Sequence, residues 1–217
     1  MTPLPFGDLL ERLDKIAPVL LKKNHIDGAG FKLCLKMRVV DMAYDLLMQE
    51  LGKEERLFLA KETTDIPETT VVKLVYLYES LLLQMRMEMD LWAKFVHRVK
   101  GLTNLGHSFN AHKKNISRAA DTIYADFVRD MEWFNKMKDA RDTLKTGDIT
   151  RVFNFDKGQK GFVIYAIGYP PKGDKPPSPK LLSDVCDGFH GGLKDYRTFV
   201  FEHFNDSNDS TDSVSDS

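Results

Sequence analysis

The chain has 217 residues, 42% of them hydrophobic and 29% charged, which is enough apolar side chain for one sizeable core. Its formal net charge of −1 excludes binding to duplex nucleic acid by bulk charge alone. The stretch 205–217 holds Asp206, Asp209, Asp212 and Asp216 with no Lys or Arg, so setting those four charges aside leaves the remainder at +3. That mildly basic balance leaves an electrostatic role open.

Two cysteines, Cys34 and Cys186, lie far apart and in no metal-ligand spacing, and read as small apolar residues in a reducing cytoplasm. The start has no basic region followed by a long apolar run, the pattern of a signal peptide. Apolar runs fall far short of the ~20 residues that a membrane span needs, so no membrane association is expected.

In chain order, residues 6–23 repeat apolar positions with helical period, from Phe6 and Leu9 to Leu20 and Leu21, and Pro18 should kink or split that helix near 14–17. Residues 24–30 read as a turn. A second helix is expected over 31–51, stopped by Gly52, with a short helix over 54–62 after it. Asp65, Pro67 and Glu68 then mark an entry, as cap, first-turn proline and first-turn acid. The helix they open, about 67–100, carries one apolar stripe from Val71 to Val99 and would be about 50 Å long.

Gly101 and Gly106 bracket a turn, and a polar segment, 107–114, leads into a fourth helix starting at Asn115 or Ser117 and ending at Gly147. Residues 151–167 then turn β-branched and aromatic on either side of Lys157-Gly158-Gln159-Lys160, as a hairpin does. Prolines and glycines over 168–179 make a stiff linker. A last helix is expected over about 179–204, weakened or broken by Gly188, Gly191 and Gly192. The acidic tail 205–217 lacks the apolar surface to fold and is expected to be disordered. The whole reads as a mainly α protein, a four- to five-helix bundle spanning 1–204 with a small β-hairpin insertion.

One stretch points beyond architecture. Trp133 to Asp148 ends the fourth periodic segment, and within it Arg141-Asp142 is followed after three further positions by Thr146. With the hairpin behind it, this resembles the signature of HEPN-like bacterial helical-bundle proteins, an arginine, a polar residue and, after three further positions, a histidine. The resemblance covers about residues 31–165. It implies a homodimer in which arginine and histidine face each other across a cleft and cut RNA without a metal. Thr146 stands where the histidine belongs, and a threonine hydroxyl does not titrate near neutrality as imidazole does. The expectation is therefore a non-catalytic protein that binds RNA or a protein partner, with Arg141, Asp142 and Lys145 as its binding residues and Arg141 able to hold a phosphate bidentately.

Two alternatives stand beside it. One is a metal-independent endoribonuclease of toxin or defence type, with Arg141, Asp142, Arg197 and His203 as catalytic candidates and His107 or His112 as replacement acid or base. The other is a purely structural interaction bundle. Locally, Arg141 and Asp142 also read as a surface ion pair in a last helical turn, and Arg197 and His203, about 120° apart around a helix, as an exposed basic pair. Glu79, Glu88 and Asp90 read as a solvated face or as partners for Arg141. Met87 falls off the apolar stripe and is expected at the surface or at a subunit contact, and His97 reads as a partly exposed structural histidine. His107 and His112 make a poor zinc site, and no metal or cofactor is expected.

Overall fold

A computed structural model describes residues 8–9, 11–13, 29–60, 65–99, 108–116, 121–145, 153–164 and 179–209. The protein is mainly α. Helices α1 (Ala29–Leu59), α2 (Glu68–Val99), α3 (Phe109–Asn115), α4 (Thr122–Arg129) and α5 (Glu132–Lys145) precede strands β1 (Phe153–Asp156), β2 (Gly161–Ile164) and β3 (Lys180–Leu181), and α6 (Leu182–Asp209) follows. Of the first expected helix, residues 8, 9 and 11–13 are helical, with Leu9 and Leu13 buried. Pro18, the turn glycines Gly101 and Gly106, His107, Thr146 and residues 165–178, which include all but the last residue of the expected linker, lie outside the described residues. Two compact units divide the rest, one taking 1–39, 87–131 and 193–217 and the other 40–86 and 132–192.

The first unit is built on Trp92, fully buried, whose ring meets Phe95, Tyr196 and Phe201 edge-on at centroid distances of 5.8, 5.9 and 5.5 Å. Edge-to-face packing of this kind adds to simple area burial. Here the structure corrects the expected polar segment and the single fourth helix. Ser108 caps α3 by accepting the Ala111 N–H at 3.3 Å, and Asp90 accepts the Phe109 N–H at 2.7 Å. Two satisfied first-turn donors turn a polar-looking stretch into a short helix. Asp121 then caps α4 through the Tyr124 N–H at 3.0 Å. That helix stops because the Lys113 ammonium donates to the carbonyls of Val128 at 2.7 Å, Arg129 at 2.6 Å and Met131 at 3.4 Å. A half-buried cation at a helix C-terminus satisfies the orphan carbonyls and fixes the break.

The second unit corrects the stop at Gly52. Helix α1 runs straight through it to Leu59, because Leu51, Glu54 and Phe58 continue the buried face on the far side. One glycine costs about 1 kcal/mol in a helix, less than burying a phenylalanine returns. Phe58 then supplies the floor for the sheet, with Phe155 at 5.1 Å and Phe162 at 5.6 Å between ring centroids. Those two phenylalanines are opposite each other in the antiparallel β1–β2 pair, and β2 pairs antiparallel with β3 through Val163 and Leu181. The turn is Lys157 to Lys160, with Asp156 Oδ1 accepting the N–H groups of Gly158 and Gln159 at 2.8 and 3.2 Å and Lys160 left-handed at φ 57°. Gly161 follows it of necessity. A Cβ there would lie 2.7 Å from Leu181 Cδ2 and 3.0 Å from Glu55 Oε1, the carboxylate whose pKa burial raises and the Phe162 backbone N–H lowers.

Helix α6 is continuous through its three glycines, and it continues to Asp209, five residues into the expected disordered tail. The flanks Cys186, Phe189, His190 and Leu193 are all buried, and their packing outweighs the glycine cost. The glycines differ in what surrounds them. Nothing lies within 4 Å of a Cβ added at Gly188, whereas one at Gly192 would lie 2.5–2.7 Å from Cγ, Cδ1 and Cδ2 of Trp133. Gly188→Ala is expected to stabilise the protein by about 0.5–1 kcal/mol, and Gly192→Ala to destabilise it by about 1–3 kcal/mol. Urea unfolding of the two variants should move the midpoint in opposite directions; the same direction for both would contradict the close approach.

Candidate functional site

Arg141 lies near the end of α5, one-fifth exposed, with Nη2 donating to Asp142 Oδ1 at 3.0 Å. Lys138 reaches Asp139 at 3.1 Å and Asp142 at 3.9 Å. Two cations and two carboxylates alternate here, so the local field is close to neutral and each exposed pair contributes little to stability. The Arg141 Nε is enclosed and has no hydrogen-bond acceptor among the described residues. Lys145 closes α5, with its side chain outside the described residues.

Arg197 and His203 are not an exposed pair. Arg197 is buried and donates from Nε to Glu88 Oε1 at 2.7 Å, from Nη2 to Glu88 Oε2 at 2.6 Å and from Nη2 to the Met37 carbonyl at 3.2 Å. Glu88 has no exposed surface at all, and its Oε1 also accepts the Trp92 indole N–H at 3.0 Å. This is a fork-to-fork pair with Oε1 also satisfied by the indole, an arrangement that allows two charges inside a core. The carboxylates expected on a solvated face are therefore structural: Glu88 pairs with Arg197, and Asp90 caps α3. Only Glu79 of the three is exposed. His203 pairs with Asp121 at 2.8 Å and stacks on Phe199, which in turn stacks on Phe127 at 3.8 Å.

Sequence reasoning did not assemble the histidine chain of the first unit. His97 Nε2 lies 3.0 Å from His112 Nδ1, His112 Nε2 lies 3.0 Å from the Tyr124 hydroxyl, and that hydroxyl lies 3.0 Å from the Tyr196 hydroxyl. Tyr196 donating to Tyr124, Tyr124 to His112 and His112 to His97 gives each buried donor an acceptor. Burial lowers the His112 pKa to about 4, with His97 adding charge repulsion, and drives both tyrosines upward. The only sequence signal was the i, i+3 placement of His112 after Phe109 on an unrecognised helix.

In the second unit, His190 Nε2 lies 2.9 Å from Asp41 Oδ1, while its ring stacks on Tyr44 at 3.9 Å. The Tyr44 hydroxyl bonds Asp187, and burial and that carboxylate raise its pKa. These contacts join α1 to α6. On the other side of α1, a groove of about 440 Å³ is lined by Met42, Leu46 and Gln49 from α1 and by Tyr76, Leu77 and Ser80 from α2. Met42 is 70% exposed and Tyr76 69%, and Leu46, Val72 and Leu83 are exposed as well. Three antiparallel links, Lys73 to Glu50, Lys73 to Glu54, and Thr70 to Glu54 at 3.3 Å, hold the helices beside the groove. A signal for this face was present: Val72, Tyr76 and Leu83 lie off the stripe that starts at Val71, Leu74 and Tyr78, so α2 has more apolar residues than one buried face uses. Met87 is exposed as expected, in the first unit, with Lys36 Nζ 3.9 Å from its sulfur.

Among the described residues no group of three His, Cys, Asp or Glu side chains is placed to hold a metal ion, and no helix is long and apolar enough to cross a membrane. Comparison with protein-family models, curated proteins and solved structures gave no match.

Proposed function

We propose that the chain is a non-catalytic, cytoplasmic binding protein of the HEPN-like type, and that it binds protein through the α1/α2 face of its second unit. The observation that carries the reading is the solvent-facing apolar groove around Met42, Leu46 and Tyr76. A contiguous exposed apolar patch costs hydration in the free protein and is recovered when a partner covers it. The arginine and histidine candidates of α6 support the same reading, since each is held by a carboxylate, Arg197 by Glu88 and His203 by Asp121.

A second reading keeps RNA as the ligand, favoured by the enclosed, unsatisfied Arg141 Nε. A phosphate would have to compete with Asp142 for Nη2, and the two adjacent carboxylates repel it. Protein binding is therefore preferred. The test is affinity purification of the full chain from its source cells, run beside Leu46→Lys and Tyr76→Lys, with labelled RNA titrated at low salt against wild type and Arg141→Ala. A retained protein lost in both face variants is the expected result. RNA retention that falls with Arg141→Ala, with the protein arm empty, would replace this reading by the second.

A further inference from the structure

From the groove and the two carboxylates on its outer flanks we infer that the α1/α2 face takes an amphipathic helix of another protein, one whose apolar side is edged by lysine or arginine. The inference rests on the protein-binding reading above and names the partner's chemistry.

Within the second unit α1 and α2 run antiparallel, and the contacts of Lys73 with Glu50 and of Thr70 with Glu54 fix the level at which they pass. Counting on from those contacts at the helical rise puts Ala43 level with Ser80 and Asp45 level with Glu79. The first pair is short and lines the groove, between Met42 and Leu46 on one side and Tyr76 and Leu77 on the other. It leaves a hole that a large apolar side chain from outside fills. The second pair lies outward of it. At 100° per residue, Asp45 turns to the flank of α1 away from α2, and Glu79 to the flank of α2 away from α1.

The walls decide the kind of ligand. Both are helices whose backbone N–H and C=O groups bond within the helix, so an extended segment finds no edge to pair with there. A helix instead presents apolar side chains at i, i+3, i+4 and i+7, which pack between the ridges of the two walls. The exposed apolar residues of α2, from Val72 to Leu83, run over about three turns and set the length of the contact.

The charges decide which helix. Asp45 and Glu79 are exposed, and neither has an ion-pair partner among the described residues. A helix in the groove has one carboxylate level with each of its edges. Lysine or arginine at those edges is attracted from both sides, and aspartate or glutamate is repelled from both. The nearby cations do not cancel this. Lys73 is held by Glu50 and Glu54, and Lys53, eight residues along α1 from Asp45, lies about a Debye length away.

Two synthetic peptides of about four helical turns test the inference by fluorescence anisotropy against the full chain. Both carry leucine on one helical face; one edges that face with lysine and the other with glutamate. At low salt the lysine peptide should bind wild type tenfold or more tighter than the glutamate peptide. Asp45→Lys combined with Glu79→Lys should invert that order. Leu46→Ala and Tyr76→Ala, which change no charge, should weaken the lysine peptide several-fold, with circular dichroism unchanged in every variant. Equal binding of the two peptides overturns the inference, as does an order that the charge reversals leave in place. So does a wild type that binds neither peptide because its face is already covered. Dimerisation with rising concentration, lost in Leu46→Lys, would identify a second copy as that cover, and its absence a part of the chain itself. The broader protein-binding reading survives each of these results if purification from source cells still retains a protein that Leu46→Lys loses.

Discussion

Arg197→Ala is expected to cost the protein about 3–5 kcal/mol of folding stability, a large share of what a domain of this size has. The reason is not the lost attraction. The variant leaves Glu88, with no exposed surface, holding a negative charge whose one remaining donor among the described residues is the Trp92 indole at 3.0 Å. The carboxylate must then either stay ionised in a poorly polarisable core or take up a proton, and both outcomes disfavour the native state. The Met37 carbonyl also loses the Nη2 donor. Replacing both partners together tells the rest. Glu88→Leu with Arg197→Met removes the two charges and keeps comparable volume, so the double variant should recover most of the loss. Urea unfolding of wild type, both single variants and the double variant gives the coupling energy directly. If Arg197→Ala costs less than about 1 kcal/mol, a buried ion pair of this geometry is not present in solution.

Acid sensitivity is the second large effect. An unfolded histidine titrates near 6.5, and His112, fully buried, is pushed down to about 4. Between these values the unfolded chain holds a proton that folded His112 does not. Stability contributed by the neutral imidazole is therefore complete above about pH 6.5, declines as the pH falls, and is lost below about pH 4. The full loss corresponds to about 3 kcal/mol. Unfolding free energies measured from pH 7 to pH 4 should fall by about that much in wild type. The slope should flatten in His112→Asn, whose baseline will be lower because the Tyr124 hydroxyl loses its acceptor. An unchanged slope in that variant would assign the acid sensitivity to other groups.

How much of this was legible in the sequence depends on the range of the interaction that decides each feature. The long helix expected at 67–100 is α2 at Glu68–Val99, because the entry proline, the first-turn Glu68 and the apolar stripe are all local signals, although Pro67, expected in the first turn, lies just before it with its carbonyl accepting the Thr70 and Val71 N–H groups. The hairpin was equally readable from composition. Gly52 and the α6 glycines misled because a helix boundary is settled by whether buried contacts continue, and Phe58 finds its partners nearly a hundred residues later. The break between α4 and α5 carries no proline or glycine, since a lysine from α3 makes it. Strand β3 has only two residues, too few for any periodicity.

The candidate residues divide in the same way. The Arg141–Asp142 pair joins neighbours in sequence and could be read from spacing. Arg197 could not, because Glu88 is 109 positions away and nothing in either local pattern indicates the other. The exposed face of α1 and α2 lay between these cases, visible as surplus apolar residues but without a hint of what lies beside them.

Lys113 has a consequence for how the molecule comes apart. Helix α3 has seven residues, too few to persist by itself, so it exists through what its side chains hold. One of those side chains ties down the end of α4 and the next, at His112, begins a chain of hydrogen bonds to α2, α4 and α6. With these two neighbours, α3 and α4 are expected to open as one cooperative unit, their amide protons exchanging together in a hydrogen-exchange measurement rather than one helix at a time. Protonating His112 and releasing the Lys113 tether are then two routes into the same partly open state, reached by acid in one case and by loss of the ammonium in the other.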